Sequence, residues 1–114
     1  MKGMMMHRPL LVSEILEFGA GAYPNAEIVS LRTEGDVHRE TYPEFRNRTV
    51  QLAHALKAQG VELGDRVATL AWNGYRHMEL YYAISGIGAI CHTINPRLSA
   101  EQLIYIVNHA EDKL

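Results

Sequence analysis

The sequence predicts an α/β fold in which an N-terminal helix and a β-hairpin precede a strand–helix–strand–helix unit. Three observations carry this expectation. Apolar residues recur at helical spacing between Leu10 and Tyr23, a polar Gly-containing turn separates two short strand candidates, and two capping-box sequences open helices on either side of apolar runs.

Leu11, Ile15, Phe18 and Ala22 recur at intervals of four, three and four, so residues 10–23 are expected to form an amphipathic helix with that stripe inward. Tyr23-Pro24-Asn25 stops it. Ala26 to Leu31 reads as a strand, Thr33 to Asp36 as a turn, and Val37 to Thr41 as the returning strand of a hairpin. Thr41 and Glu44 have capping-box spacing, so a helix begins there, with Phe45, Leu52, Ala53 and Leu56 on its apolar side and Arg46, Arg48 and Gln51 opposite. Lys57 followed by Gly60 suits its end.

After a loop over residues 61–65, Arg66 to Trp72 alternates too little for a surface strand and is expected to be covered on both faces. Asn73 is placed to cap the next helix, Tyr75 to Ile87, which is apolar nearly all round and expected to be buried on more than one side. Gly86 and Gly88 release the chain into a second strand, Ala89 to Ile94, and Asn95-Pro96 ends it because proline lacks a ladder donor. Ser99 and Gln102 open a last helix with Leu103, Ile106, Val107 and Ala110 as its stripe. Two strands joined through a helix of this length form a right-handed parallel unit. Because two parallel strands make a poor sheet, the chain is expected to stop inside a larger domain, where a further strand would begin.

With 114 residues, 47% of them hydrophobic, the chain holds at most one domain. A formal charge of −2 supplies no general basic field for nucleic acid or anionic membranes. The apolar stretch from Leu80 to Cys91, interrupted by Ser85, Gly86 and Gly88, is shorter than the roughly 20 residues a membrane-spanning helix needs. Residues 1–9 lack the apolar core of a signal peptide and are expected to be disordered, with a cytoplasmic location. Cys91 has no second cysteine with which to form an intrachain disulfide.

Candidate chemistry is sparse. Gly86-Ile-Gly88 resembles the start of a dinucleotide fingerprint but lacks the third glycine and leads from helix to strand, the wrong order for phosphate binding. His7, His38, His54, His77, His92 and His109 show none of the one-face spacing of zinc ligands. Cys91 and His92 are adjacent on a strand, so they point to opposite faces and read as a core residue and a partly satisfied polar one. Arg39, Arg46 and Arg48 with Tyr42 could meet phosphate or RNA, but Glu40 and Glu44 are expected to balance them in local ion pairs on a solvated face. Trp72, Tyr75, Tyr81 and Tyr82 could line an acyl or adenine pocket; core packing is the default.

Ordered blocks run through the chain: Thr41-Tyr-Pro-Glu-Phe45, Gly60-Val-Glu-Leu-Gly-Asp-Arg-Val-Ala-Thr-Leu70, Asn73, Glu79-Leu-Tyr-Tyr-Ala83, Gly88-Ala89, His92-Thr-Ile-Asn-Pro-Arg-Leu98, Glu101-Gln-Leu-Ile-Tyr-Ile106 and Asn108-His-Ala-Glu-Asp-Lys113. Together they resemble the N-terminal part of AMP-forming acyl-CoA synthetases in the adenylate-forming superfamily, most closely the medium- and long-chain fatty acyl-CoA synthetases. The resemblance covers about Leu10 to Leu114, and implies that residues 10–114 are an incomplete piece of the large N-terminal domain, ending before the phosphate loop.

What the resemblance implies is a fatty acid–CoA ligase. A fatty acid carboxylate attacks the α-phosphate of ATP with Mg²⁺ present, and CoA thiolate then displaces AMP. Such chemistry needs cations against phosphate charge and a dry pocket around the mixed anhydride. The family's Ser/Thr/Gly-rich phosphate loop, adenine- and ribose-binding region, metal-binding glutamate and C-terminal-domain lysine have no counterpart between Met1 and Leu114. No catalytic, cofactor-binding or metal-binding residue is therefore assigned, and ATP, Mg²⁺ and CoA belong to the full-length enzyme, which could also be membrane-peripheral. Implied partners are a fatty acid and a second copy joined through the N-terminal region. Two alternatives stand beside this reading: a self-standing interaction module derived from the fold, and another adenylate-forming enzyme such as an aryl-CoA ligase or luciferase-like oxidase.

Overall fold

Four helices and four strands follow one another in a computed structural model that describes Gly3 and residues 6–114. They are α1 (Val12–Ala22), β1 (Glu27–Leu31), β2 (Val37–Thr41), α2 (Tyr42–Ala58), β3 (Arg66–Leu70), α3 (Tyr75–Gly86), β4 (Ile90–Ile94) and α4 (Ala100–Ala110). β1 and β2 form an antiparallel hairpin in which Ser30 lies opposite His38, and β3 and β4 form a separate parallel pair in which Thr69 lies beside Thr93. The disorder expected over residues 1–9 falls partly on Met1, Lys2, Met4 and Met5, which lie outside the described residues. Residues 6–9 form no helix or strand, and Arg8 ion-pairs with Glu14.

Local signals set the element boundaries. Both capping boxes form: the Thr41 hydroxyl accepts from Glu44 N–H while the Glu44 carboxylate accepts from Thr41 N–H at 2.8 Å, and Ser99 and Gln102 repeat the exchange. Gly88 has a φ of +78°, so the turn out of α3 favours glycine for its conformation. The core lies between α2, α3 and the parallel pair, where Leu56, Val61, Val67, Ala83, Ile84 and Ala89 are buried together. Phe45, also buried, meets the Tyr82 ring edge-on with centroids 5.8 Å apart.

Three expectations fail on packing. In α1 the buried residues are Leu16 and Gly19, while Leu11, Ile15, Phe18 and Ala22 are exposed. The reason lies in the partner: a Gly19 β-carbon would sit 3.3 Å from the Tyr42 ring, so α1 approaches α2 by its small-residue side. The N-cap of α3 is Gly74 without a side-chain bond of its own, and Asn73 does not cap the helix. Instead Ser30 Oγ accepts from Tyr75 N–H at 3.1 Å across the fold.

α3 is buried on more than one side, as expected: it packs against α1, α2 and the parallel pair and buries Tyr75, Glu79, Ala83 and Ile84, with Met78 and Tyr81 left exposed. β3 stops at Leu70, short of Trp72, and alternates after all, with Val67 and Thr69 buried and Leu70 exposed. Its second face lacks a full cover because α4 contributes no buried residue. Beside β3, Lys113 N–H donates to Arg66 O and Ala68 N–H donates to Leu114 O, so the last two residues lie along its edge.

Candidate binding cleft at the strand ends

β3 and β4 run in parallel, so their carboxyl ends emerge together. In open α/β sheets, that edge is where loops leave a crevice for ligands. Here the segments Ala71 to Gly74 and Asn95 to Arg97 flank a cleft of about 360 Å³ lined by Trp72, Asn73, His77, Thr93, Asn95 and Arg97. A larger open groove of about 520 Å³ adjoins it and shares Asn73, His77 and Thr93. Its far wall is apolar, made by Ile28 and Val29 of the hairpin with Met78 and Tyr81 of α3.

Two polar groups of the cleft are already engaged. His77 Nε2 lies 2.9 Å from Thr69 Oγ1, and the backbone N–H of Arg97 donates to Asn95 Oδ1 at 3.0 Å. The Arg97 guanidinium stands 5.3 Å above the Trp72 ring, a cation–π arrangement at the rim. Arg97 is the sole lysine or arginine among the residues lining the two cavities. One arginine and two apolar walls suit part of a binding surface. They do not provide the several converging donors that a triphosphate requires.

The other candidates are dispersed. Gly86-Ile-Gly88 is the turn from α3 to β4, with Gly88 N–H bonded to Ser85 O. Among the described residues no three His, Cys, Asp or Glu side chains converge as a metal site. Cys91 and His92 have separate partners. Burial pushes the Cys91 thiol up, with a Thr69 hydrogen bond partly offsetting it, which disfavours the nucleophilic thiolate. His92 Nδ1 lies 2.9 Å from both oxygens of Asp112, whose side chain is buried.

Arg39, Arg46 and Arg48 are neutralised, mostly by acids other than the expected neighbours. Arg39 pairs with Glu27 at 2.9 Å, Arg46 with Glu17 at 2.8 Å, and Arg48 with Glu79, so the acids come from β1, α1 and α3. Glu44 serves the helix cap instead, and Glu40 lies 3.8 Å from Arg48. Of the expected local pairs only Arg48–Glu40 forms, and the closer partners are long-range, because β2 and α2 set their arginines against acids up to 31 residues away. Of the aromatic group, Tyr75 is buried and Tyr82 half-buried, whereas Trp72 and Tyr81 are exposed at the cleft and groove.

A buried ionic cluster went unread in the sequence. His38 and Glu40 of β2, Arg48 of α2 and Tyr75 and Glu79 of α3 meet where the hairpin joins the helices. The His38 ring stacks on Tyr75 with centroids 3.7 Å apart, and His38 Nε2 lies 3.4 Å from Glu40 Oε1. Arg48 engages both Glu79 oxygens, Nη2 donating to Oε2 at 3.2 Å, which holds the arginine above its ordinary value. The available signal was Glu79 itself, a charged residue one turn after Tyr75 on the same face of the helix.

The family model described as AMP-binding enzyme matches residues 16–114. Across its whole length the chain is 47% identical to a 3-methylmercaptopropionyl-CoA ligase of Ruegeria lacuscaerulensis, covering 21% of that protein. It is also 47% identical, again over its whole length and 21% of the relative, to a medium-chain-fatty-acid–CoA ligase of Ectopseudomonas oleovorans. Among solved structures, the inhibitor-bound N-terminal domain of FACL13 from Mycobacterium tuberculosis superposes with a TM-score of 0.82 at 28% identity, over 91% of this chain and 26% of that one. The chain thus spans about a fifth of the length of the curated relatives it matches. With a model match over most of its residues and the same helix, hairpin and α/β arrangement as these ligase N-terminal domains, the chain belongs to the AMP-binding enzyme family.

Proposed function

We propose that the chain is the N-terminal part of an AMP-forming fatty acid–CoA ligase and acts there as scaffold for the large domain. The single observation that carries this reading is the 47% identity to a medium-chain-fatty-acid–CoA ligase over all 114 residues. The full-length enzyme would join a fatty acid carboxylate to ATP, release pyrophosphate, and pass the acyl group from AMP to CoA with Mg²⁺ offsetting phosphate charge. Within this chain, the β3–β4 pair supplies two strands of the sheet and the exits of those strands supply one wall of a cleft. No ATP, Mg²⁺ or CoA contact is assigned to a residue here, because no position matches the family's phosphate-loop, nucleotide-binding or metal-binding motifs. No helix among the described residues is long and apolar enough to cross a membrane, and a cytoplasmic location fits this reading.

The test is ATP–pyrophosphate exchange with octanoate or palmitate, run on the 114-residue chain and on a chain extended through the downstream coding sequence. Exchange by the extended chain alone is the expected result. Exchange by the 114-residue chain would overturn the scaffold assignment, and an extended chain that activates no carboxylic acid would overturn the ligase assignment. A second reading, self-association through the N-terminal region, is favoured by the exposed Leu11, Ile15 and Phe18 on α1. Sedimentation that depends on concentration in the native chain but not in Phe18→Asp would support it; an unchanging monomer would dismiss it.

A further inference from the structure

Glu40 and Glu79 approach one interior point from β2 and α3, and each is about 95% buried, at 6% and 5% exposure. Among the described residues Arg48, whose side chain is half exposed, is the one permanent cation in contact with both. It is committed to Glu79, whose two oxygens it binds, and both Glu40 oxygens are buried without a hydrogen-bond partner. The groups around Glu40 can be named element by element. His38 faces it from its own strand, Arg48 from α2, and Glu79 and Tyr75 from α3, while Glu44 acts on His38 from the start of α2 and Arg76 lies over the outer side of the Tyr75 ring.

Two buried carboxylates with a single arginine leave one negative charge unmatched, which low-dielectric surroundings strongly penalise. A proton removes the mismatch. Placed on Glu40 it also converts an orphaned acceptor into a donor facing His38 Nε2 at 3.4 Å.

We infer that the His38–Glu40–Arg48–Glu79 cluster is a proton-loaded latch that holds the β1–β2 hairpin against α2 and α3 and loosens as pH rises. Burial first, and then the Glu79 charge, push the Glu40 carboxyl up, with His38 and Arg48 opposing them. For an acid raised in the folded state, the stabilising contribution is complete below the ordinary glutamate range. It is lost as pH rises through the raised folded value.

The test is a ¹³C carboxyl titration of the 114-residue chain by NMR, with Glu40 assigned through its backbone, alongside thermal unfolding at several pH values. One glutamate is expected to titrate above the others and to be missing from Glu40→Gln. The fall in unfolding midpoint as pH rises above the ordinary glutamate range should flatten in that variant. Glu79→Gln provides a second readout that a purely structural role would not move: with Arg48 released to it, Glu40 should titrate at lower pH than in the native chain. A Glu40 signal that titrates with the remaining glutamates, a pH slope that survives Glu40→Gln, or a Glu40 titration unmoved by Glu79→Gln would each overturn the latch.

Discussion

The hydroxyl oxygen of Ser30, in the middle of the first hairpin strand, accepts the backbone N–H of Tyr75 at 3.1 Å and thereby supplies the cap that α3 lacks in its own sequence. A helix N-terminus presents donors without intrahelical partners, and a side-chain oxygen that satisfies one contributes about 1 kcal/mol. Ser30→Ala is therefore expected to destabilise the chain by about that amount in denaturant unfolding, whereas Asn73→Ala should stay within about 0.5 kcal/mol of the native chain. Equal effects of the two substitutions would return the cap to Asn73.

Gly86 and Gly88 make a matched pair for testing the turn into β4. Gly86 lies at the end of α3 with no atom within 4 Å of where a β-carbon would go, so Gly86→Ala should stabilise by up to about 1 kcal/mol through helix propensity. Gly88 has a φ of +78°, so Gly88→Ala should cost about 1–2 kcal/mol in backbone strain, the exposed Leu63 side chain being free to turn aside. Urea midpoints of the two variants should move in opposite directions.

Adjacent apolar residues in α1 should respond unequally to truncation. Leu16 is buried and Ile15 is 64% exposed. Leu16→Ala is expected to cost about 2 kcal/mol or more, and Ile15→Ala to remain within about 0.5 kcal/mol of zero. The reverse order, read by chemical denaturation of each variant, would restore the inward stripe that sequence periodicity suggests.

The Thr41–Glu44 cap carries its own pH signature. The Thr41 backbone N–H, and then its hydroxyl, hold the Glu44 carboxyl below its ordinary range. For a depressed acid, the associated stabilisation is present above the unfolded value and is lost as pH falls through the folded one. Thr41→Ala removes the hydroxyl but keeps the N–H, so Glu44 should titrate part of the way back toward an ordinary glutamate in a ¹³C carboxyl titration. No movement at all would place the shift entirely on the backbone bond.

The legible part of this fold was the part written in short range. Thr41 with Glu44, and Ser99 with Gln102, close bonds over three residues, and Gly60 and Gly88 adopt the left-handed turns that end α2 and α3. The cleft was less legible. Asn95 and Arg97 stood within a family block, but nothing local brings them near Trp72 and His77; parallel pairing of β3 with β4 does that. Glu40 and Glu79 were harder still, since an acid 39 positions from its neighbour has no spacing rule to betray it.

By itself, the sequence determined the order and type of the elements, the caps of α2 and α4, the turns, and the family, because each rests on side chains that act on their own backbone or on blocks kept in register along the chain. The tertiary structure alone decided which face of α1 turns inward, that Ser30 caps α3, that Arg48 serves Glu79, and that Trp72 stands at a cleft instead of in the core. Those outcomes depend on which surfaces meet. Burial, ion pairing and cross-fold capping are set by contacts between elements, and amphipathic spacing within one helix cannot choose between two partners.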